Sequence, residues 1–119
     1  MPVSMQYEPN DICVLRISGI LKRSEFGTEE RALARHIDSG LNPRLLVILE
    51  NFEGWEGGAN WNDLDFYILY GHKVSKIAIV AERRWEPLAL AFAGAGVRRT
   101  PVKFFPSNEL DPARCWLAD

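Results

Sequence analysis

Three glutamates, Glu50, Glu53 and Glu56, fall at intervals of three after a buried apolar run. Paired carboxylates can carry acid/base chemistry when one is held protonated and the other ionised. No histidine, cysteine or serine accompanies these three, so solvated loop charges are the simpler reading. Asp63 and Asp65 stand in the first turns of a predicted helix, where the positive end of the dipole accounts for them. Of the two cysteines, Cys13 shares a strand face with Leu15 and Ile17 and reads as a core thiol. Cys115 has no helix N-terminus to activate it. His36 and His72 each sit near a predicted helix C-terminus, where the dipole favours a cation. No His/Cys/carboxylate spacing matches a metal site, which needs at least three converging ligands. Gly57-Gly58-Ala59-Asn60 precedes a helix and offers backbone N–H groups, yet neither phosphate-loop pattern is present and the adjacent charges are carboxylates. These observations predict no catalytic residue, no metal and no cofactor.

Aromatic placement says more. Trp55, Trp61 and Trp85 cluster in or beside the second and third predicted helices, with Phe52, Phe66, Tyr67, Tyr70 and Phe92. Trp61, Leu64 and Ile68 form one stripe at i, i+3, i+7. Phe66, Tyr67, Leu69 and Tyr70 add apolar surface outside it, so that helix needs more than one apolar neighbour. Packing on the sheet and on a second helix or subunit explains this surplus; so does a cleft for a nonpolar ligand, or contact with lipid.

The elements that position these residues follow from periodicity. Val3–Tyr7 alternates and Ile12–Ser18 reads as a second strand, with Glu8-Pro9-Asn10-Asp11 as the turn, giving an antiparallel hairpin. Gly19 ends or bulges the second strand. Ser24 is a candidate cap for a helix to Asp38. Arg44–Glu50 reads as a central strand covered on both faces, followed by a glycine-rich loop over 51–60. Asn60 caps a second helix over Trp61–Tyr70. Lys76–Ala81 is a strand, Arg84–Phe92 a third helix, and Val102–Phe105 the last strand. Ser107 or Asn108 caps a fourth helix, Glu109–Leu117, with Leu110, Ala113 and Leu117 inward. The order β-β-α-β-α-β-α-β-α predicts one layered α/β domain over residues 1–119, a mixed sheet opened by a hairpin.

Composition agrees. The chain has 119 residues, 47% of them hydrophobic, and a net charge of −2, which gives no general electrostatic reason to bind nucleic acid. No apolar stretch approaches the roughly 20 residues of a membrane span, and no signal-peptide pattern opens the chain. The expected location is cytoplasmic, with peripheral membrane contact as a variant.

Several stretches carry a family resemblance. Arg44–Glu50, Phe52-Glu53-Gly54-Trp55, the pattern Trp61-x-Asp63-Leu64, Lys76–Val80, Trp85, Val102–Phe105 and Leu110-Asp111-x-Ala113-x-x-Trp116-Leu117 resemble the small bacterial SpoIIAA-like proteins. The resemblance implies a STAS-type fold, related to the CRAL-TRIO/Sec14 lipid-binding group, and a noncatalytic role in carrying nonpolar molecules. STAS antagonists of anti-sigma factors place a phosphorylatable serine at the helix after the third strand; here residues 51–60 contain neither Ser nor Thr. The resulting expectation is a cleft between the second and third helices, lined by Trp61, Leu64, Ile68, Trp85, Leu88 and Phe92, with Trp55 at its rim. Gly71, Gly94 and Gly96 are the candidate hinges. A ligand covering about 200 Å² of that surface would gain on the order of 5 kcal/mol before ordering costs. The alternative is a protein-interaction or regulatory module using the same surface, including homodimerisation.

Overall fold

The structure, a computed structural model, describes residues 3–8, 11–38, 43–57, 74–92 and 101–118. Five strands form one sheet: β1 (Val3–Glu8), β2 (Ile12–Leu21), β3 (Arg44–Trp55), β4 (Ile77–Ala81) and β5 (Val102–Pro106). They lie side by side in chain order. β1 and β2 are the antiparallel hairpin, while β2 through β5 run parallel. The described residues also contain three helices, α1 (Arg23–Asp38), α2 (Glu86–Phe92) and α3 (Leu110–Ala118), with a short 3-10 turn at Arg83–Trp85. The predicted helix at 61–70 lies outside the described residues. The α/β class and the element order are otherwise as the sequence predicts.

Strand alternation divides the core into two. Cys13, Leu15 and Ile17 of β2 join Leu49, Ile77 and Ile79 on one face, which takes Leu33 of α1 and Ala89 of α2. Ile12 and Val14 join Leu46, Ile48, Ala78, Val80 and Phe105 on the other, closed by Ala113 and Leu117 of α3. The α3 stripe is as expected: Ala113 and Leu117 are fully buried, and Leu110 packs beside them. A parallel strand covered on both sides needs apolar residues in succession, which is why Arg44–Glu50 is not alternating.

Three boundaries differ from expectation. α1 begins at Arg23, and the Phe26 N–H donates to the Lys22 carbonyl; Ser24 therefore lies inside the first turn, where its carbonyl accepts from the Thr28 hydroxyl. At α3 the Glu109 N–H donates to the Pro106 carbonyl and the Glu109 carbonyl accepts the first helical bond, from Ala113. A tight turn thus spends Ser107 and Asn108 before the helix begins, and neither is its cap.

The third difference bears on function. The predicted loop after Glu50 is strand as far as Trp55. Ile17, Gly19 and Leu21 pair with Leu49, Phe52 and Trp55, so each two-residue step on β2 meets a three-residue step on β3. The extra residues are absorbed as bulges, at backbone conformations of φ +50° for Asn51 and +120° for Gly54. Asparagine tolerates the left-handed region, and Gly54 has no side chain to oppose its own geometry. Leu49, Phe52 and Trp55 therefore all face the same layer despite their spacing. An added methyl at Gly54 would meet the Trp85 ring at 3.7 Å, an ordinary contact. Gly54→Ala is expected to destabilise through backbone strain alone, by about 1–3 kcal/mol. Urea unfolding monitored by far-UV circular dichroism reads this loss.

One ion pair ties the first strand to the last helix. Both Arg114 guanidinium nitrogens, Nη1 and Nη2, donate to the Glu8 carboxylate, at 2.8 and 3.2 Å. This hydrogen bonding holds the Glu8 carboxyl below the usual glutamate range and raises Arg114 in turn. A carboxyl depressed in the folded state adds stability above its unfolded pKa and loses it as pH falls through the folded value. Both side chains are about one-third exposed, so solvent screens the pair. A Glu8→Gln, Arg114→Gln double-mutant cycle is expected to give about 0.5–1 kcal/mol of coupling at pH 7. The coupling should vanish in acid below the folded Glu8 pKa.

Candidate functional site

The carboxyl ends of parallel strands are where α/β sheets place ligands, because loops diverge there and leave a crevice. In this chain that edge gathers aromatic rings. Phe52 of β3 is 1% exposed and forms the floor. The Trp55 ring stands edge-on to it, with centroids 4.9 Å apart and planes at 83°. Trp85, from the 3-10 turn after β4, does the same at 4.9 Å and 74°. The two tryptophans meet each other at 6.1 Å and 78°. Such edge-to-face contacts place the positive ring edge on the negative ring face, and each adds about 0.5–1.5 kcal/mol beyond area burial.

Local sequence explains the gathering. The two bulges aim Phe52 and Trp55 into one layer, and the Trp85 ring packs beside the Gly54 backbone. Glu82 leaves β4 in an extended conformation, and its carbonyl accepts the Trp85 N–H, closing the turn that carries the ring. The β2 end completes this edge: the Glu56 N–H donates to the Leu21 carbonyl, continuing the ladder past Trp55. Trp55 and Trp85 remain half-buried, whereas Phe52 is interior. Leu88 on α2 is 55% exposed and Ile20 on β2 is 51% exposed.

Polar groups flank the rings. The Arg84 guanidinium lies over the Trp85 ring, 5.0 Å from its centroid, and 3.4 Å from the Glu82 carboxylate. Arg83 is exposed. Glu50, one of the three glutamates weighed for acid/base chemistry, pairs with Arg16 at 2.6 Å on the other face of the sheet, while Glu53 is exposed on the strand. Cys13 is 1% exposed, and burial pushes its thiol up to about 12. Cys115 is exposed on α3. Among the described residues no group of three His, Cys, Asp or Glu side chains comes together as a metal site would require. No helix among the described residues is long and apolar enough to cross a membrane.

Of the seven residues predicted to line a cleft, the structure brings Trp55 and Trp85 into contact and places Leu88 one turn further along, on α2. Trp61, Leu64 and Ile68 lie outside the described residues, as do the side chain of Phe92, His72 and the hinge glycines Gly71, Gly94 and Gly96; the side chain of His36 does also. Phe52 was not among the seven. Its position three residues from both Leu49 and Trp55 is the signal for it, once bulges are allowed to replace a two-residue period.

A family profile described as SpoIIAA-like matches residues 12–118. The chain belongs to the SpoIIAA-like family. The match begins at the first residue of β2 and runs to the end of α3, so it takes in all the parallel strands and the aromatic edge. Among solved structures, an uncharacterised protein from Shewanella loihica with a SpoIIAA-like fold superposes with a TM-score of 0.69. It covers 97% of this chain and 91% of its own at 19% identity, which establishes a shared fold. Curated proteins give no match. The SpoIIAA-like fold fits a STAS-type module, with the mixed five-stranded sheet as its frame.

Proposed function

We propose that this SpoIIAA-like protein is a noncatalytic binder or carrier of a small nonpolar or lipid-like molecule. The molecule is held at the carboxyl edge of the sheet. The observation that supports this most is the pair of half-buried tryptophans on Phe52, beside the exposed Leu88. Aromatic walls with few polar groups gain affinity from apolar burial and impose little directional demand, which suits reversible carriage. The relation to the CRAL-TRIO/Sec14 group that the family resemblance implies is part of this proposal, as is peripheral membrane contact during loading. Residues 51–60 lack Ser and Thr, which argues against a phosphorylation switch at this loop.

Native mass spectrometry of the purified protein is expected to show a copurifying hydrophobic molecule that organic extraction releases. Protein that stays ligand-free and takes up no alkyl-chain probe contradicts the proposal. The exposure of Leu88 and Ile20 supports a second reading, a protein-interaction module that self-associates. Under that reading, sedimentation shows a dimer that Leu88→Ser dissociates, and alkyl probes do not compete.

A further inference from the structure

The Trp85 indole Nε1 is buried, and among the described residues it has no hydrogen-bond acceptor. A buried donor left without a partner forfeits its hydration and is uncommon in native proteins, so it marks a place where a further group belongs. The ring cannot easily swing its N–H into water, because it packs on both Phe52 and Trp55 and along the bare backbone of Gly54. The two residues before it carry further donors. Arg84 lies across the ring with 64% of its side chain exposed, engaging Glu82 only through Nε at 3.4 Å. Arg83 is exposed and has no carboxylate partner among the described residues. One 3-10 turn beside the aromatic cluster thus carries an indole N–H and two guanidinium groups.

We propose that the ligand is an anionic amphiphile, a long-chain monocarboxylate whose carboxylate oxygens accept from Trp85 Nε1 and from the Arg83–Arg84 side chains. This rests on the apolar-ligand reading and adds the headgroup to it. The alkyl chain lies against Trp55 and Trp85, one carboxylate oxygen reaches inward to the buried Trp85 Nε1, and the other stays with the exposed guanidinium groups. Charge-assisted bonds to an oxyanion are the strong class of hydrogen bond, so the head confers selection as well as affinity. An ammonium head offers only donors and leaves the indole N–H unmet.

Isothermal titration of the whole chain with dodecanoate, dodecanol and dodecylammonium, each below its micelle concentration, tests this. Dodecanoate is expected to bind tightest and dodecylammonium weakest, about tenfold or more apart. Trp85→Phe keeps a ring and removes the N–H; the smaller ring costs every probe some apolar contact, and dodecanoate should lose about tenfold more affinity than dodecylammonium. Arg84→Gln, on an exposed side chain that the fold does not need, should also selectively weaken dodecanoate. Equal affinities for the three heads, or variants that alter all three alike, overturn the carboxylate assignment while leaving the apolar site standing. If none of the three binds, the apolar-ligand reading itself fails.

Discussion

Phe52→Ala is expected to destabilise the protein by about 3–5 kcal/mol, the range for emptying a fully buried phenylalanine site. The ring is 1% exposed and lies beneath two tryptophans at 4.9 Å, so its loss leaves a cavity as well as forfeiting transfer free energy. Neither neighbour can collapse into the gap without leaving the bulged end of β3 or the turn after β4. The melting temperature should fall on the order of 10–20 °C for a chain of this size. Leu88→Ala, at a position 55% exposed, is the contrast: its change should stay within about 0.5 kcal/mol. Denaturant titration separates the two through midpoint shifts, with the slope unchanged if both variants unfold in one step. A Phe52→Ala loss below about 1 kcal/mol would mean that the aromatic floor is not the packed element described.

The two thiols should differ in reactivity by about a thousandfold or more at pH 8, since the thiolate is the nucleophile. Cys13 is buried between the sheet and α1, and burial, with a smaller contribution from the Glu29 carboxylate, pushes it up to about 12. At pH 8 a group with that pKa is about one part in ten thousand thiolate. Cys115 is exposed and open to reagent. One equivalent of a thiol reagent should therefore react in a fast phase, and the second only at the rate at which the core opens. Peptide mapping should find the fast label on Cys115. Two equivalents in the fast phase would contradict the placement of β2 in the core.

What the sequence made legible, and what it hid, follows from the physics of each element. The strands at Arg44–Glu50 and Lys76–Ala81 announce themselves because parallel strands buried on both faces need unbroken apolar runs, and Ile12–Ser18 reads as a strand through the turn that joins it to Val3–Tyr7. The α3 stripe was equally plain, since Leu110, Ala113 and Leu117 repeat at helical spacing. The end of β3 was not. Its apolar residues recur every three positions, a period that belongs to no regular strand, and its glycines resemble a loop. Two bulges reconcile the pattern with the sheet, and they are specified by the pairing partner, β2, which local sequence does not reveal. Both helix starts were displaced for a related reason. Ser24 and Asn108 have the right chemistry for caps, but α1 starts directly after β2 and takes Ser24 into its first turn, while a tight turn uses Asn108 before α3 begins. Of the candidate site, the meeting of Trp55 and Trp85 was legible as a clustering of aromatic residues. Phe52, the residue that organises it, was concealed by the same irregular strand.

The central claim, a nonpolar molecule at the carboxyl edge, is tested most directly by indole N–H resonances in a 15N-labelled sample titrated with monomeric dodecanol. Trp116 is an internal reference: it packs by Phe105 on the opposite face, with Lys76 over its ring and bonded to its carbonyl. The account predicts saturable shifts of the Trp55 and Trp85 indole signals while Trp116 stays fixed. Signals of Trp55 and Trp85 that do not move, or a response confined to Trp116, would contradict it.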